Sequence, residues 1–543
     1  MNTSAPGIRR SITDLQADYD RGNKEPLETV MRAWKGIKEL PYSDPNSFFV
    51  LGGFHGEPFR GPGMTDGAWW GGYCQHGTVL FPTWHRAYLW RLEKALQSIP
   101  CCEHVMLPFW DECSEDSRKN GIPRALTDRT FVLDGETIDN PLRSFVFPIP
   151  IVDQVAQDNV PSDLNHPNYS KNAEYETVRY PQSGLVGTPA YRKTTAEHNK
   201  RFSDYDENVR LLNANIVNWL NHPVTTGGKT RGLIYDAFVA CLDAPNYTLF
   251  SNTTSQKRWV AMHKGSTLKA LEYPHNYIHL AVGGFDIPAY DASPIDGANG
   301  DMGENDTAAL DPIFFFHHCF IDYAFWTWQR RHDATHGFSI DINDPGAAYI
   351  ANASANNQPP ADGVPGEPLT MNTLLEPFAD DDGTPLTSND CVHIEEQLGY
   401  TYGPGSLDEL AKPPGMAAAA VAAVAAGAQA RTRTLHVGGI DRSRITGSFL
   451  IAAYAVTEEG HELIGVEPVL SRWNVGGCAN CQSRLKTTAQ FAIPASLAES
   501  GAAKVLLHTR HGVIGDAPRQ VKSAGLVAAV AERAEVQFTV EVR

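Results

Sequence analysis

The segment HNYIHLAVGG, residues 275–284, sets two histidines four positions apart. On a helix, His275 and His279 project from one face about one turn apart and can reach one ion together. Two imidazoles do not close a metal site, so any fold of this chain must bring further ligands to them. Two other stretches carry candidates. LGGFHGEPF and YCQHGTVLFPTWHRAYLW supply His55, His76 and His85, and DPIFFFHHCFID supplies His317 and His318.

An isolated histidine is more often a hydrogen-bonded core residue than a ligand. Several imidazoles buried together without metal must stay neutral and find partners in apolar surroundings, which is costly. A bound metal removes that cost. A donor set of imidazole alone suits copper or zinc, whereas calcium and magnesium take oxygen ligands. Paired zinc hydrolases bring bridging carboxylates, and none is evident here. Copper is therefore favoured, as two adjacent three-histidine sites forming a dinuclear centre that uses O₂.

The flanking sequence predicts a helical body. Residues 26–40, 83–99 and 206–222 place apolar side chains at helical spacing. Residues 314–332 are apolar on nearly every side, which suits a helix inside a core. Asp311-Pro312 reads as its start, with Asp as cap and Pro in the first turn. Long Pro/Gly/Asn-rich loops cover 133–200 and 338–390. After a Pro- and Ala-rich stretch the texture changes to short Val/Leu/Ile/Phe-rich runs separated by turns, such as RTLHVGGI, GSFLIAAYAV and EVQFTVEVR. These predict a small antiparallel β-sandwich. The expected organisation is a mainly α domain over 1–403, a helix bundle with long loops that houses the dicopper site. A linker over 404–434 and an all-β sandwich domain over 435–543 follow.

Charge excludes one class of partner. A formal net charge of −18 leaves nothing to neutralise phosphates, so no nucleic-acid partner is expected. No stretch is long and apolar enough to span a bilayer, and MNTSAPGIRRSITDLQADYD lacks the apolar run of a leader. No membrane partner and a cytoplasmic location are the expectations. Nine cysteines without regular spacing do not make a disulfide scaffold.

With these motifs in order, the chain resembles the type 3 copper proteins, and within them the tyrosinases of fungal and bacterial type. The matching pieces are FHGEPF, YCQHGTVLFPTWHRAYLW, HNYIHLAVGG, DPIFFFHHCFIDYAFWTWQ and GYTY (399–402), which resembles the Tyr-x-Tyr marker of that family's catalytic domain. The resemblance spans roughly residues 1–403. It implies two copper ions, one held by His55, His76 and His85, the other by His275, His279 and His318. His317 then falls outside; neighbours on a helix point about 100° apart, so both cannot easily bind one ion.

The resemblance also implies a thioether from Cys74 to His76 that pins the imidazole, against the plainer alternative of a buried thiol. It implies an ion pair between Arg86 and Asp322. Glu272 and Asn276 would hold a water that takes the proton of a phenol, against an ordinary role in capping a helix. Leu280 would leave the substrate entrance apolar. In the C-terminal domain, Cys478 and Cys481 would load copper, because thiolates prefer Cu(I); half a zinc site or a disulfide are the alternatives. Trp473 is the candidate plug of a lid that slows the full-length chain. The implied activity is O₂-dependent ortho-hydroxylation of monophenols and oxidation of o-diphenols to o-quinones, with small phenols and O₂ as partners and a homo-oligomer left open. The rival readings are a catechol or o-aminophenol oxidase without hydroxylase activity, a haemocyanin-like oxygen carrier, and a structural zinc domain.

Overall fold

The computed structural model describes residues 5–56, 72–152, 170–185, 189–226, 229–263, 266, 268–287, 299–348 and 368–412. Beyond them it describes 434–457, 460–473, 475, 481, 484–493, 502–510, 512–515, 519–520, 526–530 and 536–542. Five helices frame the site: α1 (Glu25–Glu39), α2 (Phe81–Gln97), α3 (Tyr205–Asn221), α4 (Glu272–Val282) and α5 (Ile313–Arg331).

Helix α1 has Pro26 in its first turn and stops before Pro41, as the steric rules for proline require. Its buried stripe of Leu27, Val30, Met31, Trp34 and Ile37 follows the helical period, and Trp34 stacks on Phe316 of α5 at 5.5 Å. Helix α5 is buried from Ile313 through Gln329, so it runs through the core. Each fully buried Phe there contributes about 1.5–3 kcal/mol. The helix begins one residue later than the sequence suggested. Asp311 accepts from the Ile313 amide at 3.2 Å but spends its charge on Arg179 at 2.7 Å. Helix α4 packs on α3, where Asn215 donates to the Ala281 carbonyl at 2.9 Å.

A short strand, β1 (Gly7–Arg9), pairs in parallel with β2 (Tyr400–Tyr402), the Tyr-x-Tyr stretch. Residues 404–412, expected as linker, instead pack on α5. Tyr323 donates to Asp408 at 3.0 Å, and Arg331 to the Leu410 carbonyl at 2.9 Å. Residues 413–433, the rest of that expected linker, lie outside the described residues.

The main strands beyond residue 433 are β3 (Thr434–Asp441), β4 (Phe449–Thr457), β5 (Gly460–Val469), β6 (Lys486–Ala492), β7 (Ala502–Thr509), β8 (Gly512–Gly515), β9 (Leu526–Val530) and β10 (Gln537–Val542). They form two antiparallel sheets, in the orders β6-β3-β10-β9 and β5-β4-β7-β8. Alternation builds a sandwich core from Leu435, Val437, Ile451, Val505, Leu507, Phe538 and Val540. Leu450, of opposite parity on β4, joins the helical core with Val466 and Trp473. One sheet thus faces its partner sheet on one side and the helices on the other. The hydroxyls of Tyr273 and Tyr277 on α4 both reach the Val466 carbonyl, at 3.1 and 2.8 Å. Among the described residues, no helix is long and apolar enough to cross a membrane.

Candidate metal centre

The first histidine cluster is assembled from three places. His55 follows the short helix Phe48–Gly53, His76 lies in the turn before α2, and His85 sits in the first turns of α2. Gly72 has φ +74°, and a Cβ there would come within 2.5 Å of the His55 carbonyl group. Glycine at that position lets the loop carrying His76 lie directly on the His55 backbone. The rings stand 5.1 Å (His55–His76), 5.3 Å (His76–His85) and 5.7 Å (His55–His85) apart, centroid to centroid. His85 Nδ1 is bonded to the Phe81 carbonyl at 2.8 Å, which fixes its proton there and leaves the Nε2 lone pair to face inward.

The second cluster confirms the opening pair as neighbours on one helical face. His275 and His279 of α4 have ring centroids 4.4 Å apart. His318 Nε2 from α5 lies 3.2 Å from His275 Nε2 and 3.4 Å from His279 Nε2. Their Nδ1 atoms point outward: His275 to Asn276 Oδ1 at 2.9 Å, and His279 to the Met302 carbonyl at 2.9 Å. Four histidines here, His317 included, offer nitrogens within 4.8 Å of one another. His317 is set apart by its partner, because its Nδ1 is bonded to the buried Glu112 carboxyl at 2.5 Å. Burial pushes that carboxyl well above its ordinary pKa.

The donor set fits metal. Burial, then neighbouring imidazoles, holds His55, His76, His275 and His318 well below the ordinary histidine pKa. Burial, with a smaller push from His279, brings His85 down to about 3, and burial brings His279 to about 4. All are neutral at physiological pH. His55 Nδ1 and Nε2 and His85 Nε2 are buried without a hydrogen-bond partner. Such lone pairs, converging and neutral, are what a borderline-soft cation needs. His85 and His318 stack at 4.4 Å, so the two clusters share a wall.

The helices bearing these ligands are tied behind the site. Arg86 Nε meets Asp322 Oδ1 at 2.6 Å, fully buried. Tyr400 and Tyr402 donate to Asp322 Oδ2 at 2.5 and 2.6 Å, and Arg9 approaches it at 3.4 Å. The Tyr-x-Tyr stretch therefore serves as a pair of hydroxyl donors to a carboxylate on α5.

Glu272 is buried, and its Oε1 accepts from the Gly77 amide at 2.8 Å. Its Oε2 accepts from the Thr253 amide and hydroxyl, both at 2.8 Å. Asn276 is bonded to His275 as above. Leu280 is fully buried in the helical core. Cys74 is buried, with Asn305 and Arg472 each donating to its Sγ at 3.4 Å. Cys481 is disulfide-bonded, and Cys478 lies outside the described residues. Trp473 is buried, its amide donating to Asp306 at 2.7 Å, and a Cβ on Gly447 would meet its ring at 3.6 Å.

Between helices and sandwich lies a cavity of about 650 Å³, lined among others by Cys74, His76, Glu272, Asn276 and Cys481. The residue beside the expected plug, Arg472, contacts Asp306 at 3.3 Å and the His55 carbonyl at 3.4 Å. Sequence reasoning missed Arg472 and Asp306, which pair across 166 positions. It also missed Glu112, whose signal was a carboxylate in the aromatic setting PFWDEC.

The comparisons agree with this geometry. The common central domain of tyrosinase matches residues 45–331. The chain is 49% identical to tyrosinase HcTyr2 of Hahella sp. (strain CCB-MM4), over 90% of this chain and 89% of that protein. It is 40% identical to a tyrosinase of Aspergillus oryzae, over 89% of this chain and 87% of that one. The solved structure of a Burkholderia thailandensis tyrosinase at low pH superposes with a TM-score of 0.75 at 44% identity, covering 92% of this chain and 94% of that one. A central domain, two converging imidazole clusters and whole-length similarity lead to one conclusion: the chain belongs to the tyrosinase family, the dicopper enzymes that oxidise phenols with O₂.

Proposed function

We propose that His55, His76 and His85 hold one copper and His275, His279 and His318 the other, with His317 acting through Glu112 instead of binding metal. The observation that carries this is the convergence of the His275 and His279 Nε2 atoms on His318 Nε2, at 3.2 and 3.4 Å, beside a stacked His85. When bound, the copper pair supplies O₂ activation and accepts the electrons of the phenol. The chain's own residues orient the substrate and exclude water. A phenol of pKa about 10 must lose its proton to bind as phenolate. Glu272 and Asn276 both line the cavity beside His76, and a water held between them is the proposed acceptor.

In this reading Cys74 bonds covalently to the His76 ring, and the sandwich over 435–543 is a lid on the site, joined through 413–433. Trp473 seats the lid against Asp306. Cys478 and Cys481 receive Cu(I) when reduced. The cytoplasm is the proposed compartment, a reading supported by thiols at Cys101, Cys102, Cys113, Cys241, Cys319 and Cys391.

One observation favours a second reading. Both Glu272 oxygens already accept from Gly77 and Thr253, which is how a purely structural carboxylate would be placed. The chain would then be a catechol oxidase. Initial rates on L-tyrosine and L-DOPA decide between them. A hydroxylase turns over both, and Glu272→Gln lowers the L-tyrosine rate at least tenfold more than the L-DOPA rate. Turnover of L-DOPA alone, with the lid removed by proteolysis, selects the second reading.

A further inference from the structure

The cavity at the seam between helices and sandwich has a charge opposite to that of the chain. Among the described residues, five cationic side chains line it, Lys257, Arg258, Arg442, Arg484 and Lys486, against two carboxylates, Glu272 and Asp441. Lys257 is offset by Glu467 at 2.8 Å. Counted against Glu272, Asp441 and Glu467, the five cations still outnumber the acids, in a protein of formal net charge −18. Burial brings the guanidinium pKa of Arg442 and Arg484 down to about 10, which leaves both charged at neutral pH.

The placement matters as much as the sign. His76 lines the same cavity, so a phenol approaching the metal centre from here passes these cations. Arg442, Arg484 and Lys486 come from the sandwich, while Lys257 and Arg258 come from the helical domain. Arg484 also packs on the loop of His76, where a Cβ on Gly77 would meet its side chain at 3.1 Å. A low-dielectric cleft lined by one sign of charge concentrates ligands of the other sign and orients them.

We propose that this cavity is an anion-recognising vestibule, and that the sandwich selects phenols bearing a carboxylate as well as covering the site. Arg484 is its central specificity residue, with Arg442, Lys486, Lys257 and Arg258 around it. This rests on the phenol-oxidase reading above, and the experiment separates the two.

The copper-loaded full-length chain is assayed on three phenols of the same ring and similar length: 3-(4-hydroxyphenyl)propionate, its methyl ester and tyramine. Expected is kcat/KM in the order acid, ester, amine, with acid over amine at least about tenfold, the effect of one well-placed charge pair. The ratio narrows as salt rises. It falls toward one in Arg484→Gln, and partly in Lys486→Gln and Arg258→Gln, whose exposed side chains do not carry the fold. Equal values for the three phenols, or a ratio unmoved by all three substitutions, overturns the proposal while leaving the oxidase reading intact. If no phenol is turned over even after proteolytic removal of the sandwich, the oxidase reading fails and the vestibule is judged by calorimetry of the full-length chain with benzoate against benzamide. Tighter benzoate binding that is lost in Arg484→Gln supports it; equal binding overturns it.

Discussion

Arg472 of the sandwich and Cys74 of the helical domain stand 3.4 Å apart, guanidinium to sulfur, although 398 positions separate them. The same guanidinium pairs with buried Asp306 at 3.3 Å and donates to the His55 carbonyl. One side chain thus fastens the sandwich to the backbone of a candidate copper ligand. Arg472→Gln leaves Asp306 without its buried cation, a loss of about 3–5 kcal/mol in docking. The expected outcome is a several-fold faster initial rate on L-DOPA from the full-length chain and quicker tryptic separation of the two domains. Unchanged rate and unchanged cleavage together refute the fastening role.

His317 and His318 are neighbours in sequence with different partners, Glu112 for one and His275 with His279 for the other. His318→Ala is expected to retain one copper per chain after reconstitution and dialysis, and His317→Ala two. Metal analysis reads this directly. The reverse pattern would move the ligand assignment by one residue.

Asp322 sits at the junction of Arg86, Arg9, Tyr400 and Tyr402. Burial raises its pKa, but the two guanidinium groups together with the Tyr400 and Tyr402 hydroxyls outweigh burial and hold it below the ordinary carboxylate value. A depressed carboxylate pKa stabilises the fold above the unfolded value of about 3.9 and loses that contribution as pH falls through the folded value. Asp322→Asn is therefore expected to cost about 3–5 kcal/mol at pH 7 by urea denaturation, the penalty of breaking a buried pair. The difference from the parent should shrink below about pH 4. A constant difference across pH 7 to 3 would contradict this account.

Cys74 lies two residues before His76, within a buried sulfur environment built by Asn305 and Arg472. A thioether formed between them removes two hydrogens from the intact mass of the copper-treated chain. Cys74→Ser keeps the full mass. Trypsin fragments should localise the loss to one cross-linked peptide, and a free thiol in that fragment counts against the bond.

Much of this was legible because it obeys short-range rules. The apolar run of 314–332 could only be a core helix, and the four-residue spacing of His275 and His279 fixed their common face. Alternating Val, Leu and Phe beyond residue 434 read directly as a sandwich. Partnerships across the chain were not legible. Glu112 was hidden because a carboxylate in an aromatic stretch has no local partner; its partner lies 205 positions away. Arg472 was hidden for the same reason, because the buried carboxylate at Asp306 that requires a cation lies 166 positions away. Residues 404–412 read as linker from their Pro and Gly content, but their hydrogen bonds run to α5.

The strand β1 carries a practical consequence for anyone handling this enzyme. Arg9 bonds to Glu93 on α2 at 2.9 Å, approaches Asp322 on α5 and lies over the Tyr400 ring at 3.4 Å. Trimming the first ten residues, a routine step when designing shorter expression variants, would withdraw a cation from the scaffold beneath both copper-bearing helices. Such a truncation should be judged as an active-site alteration.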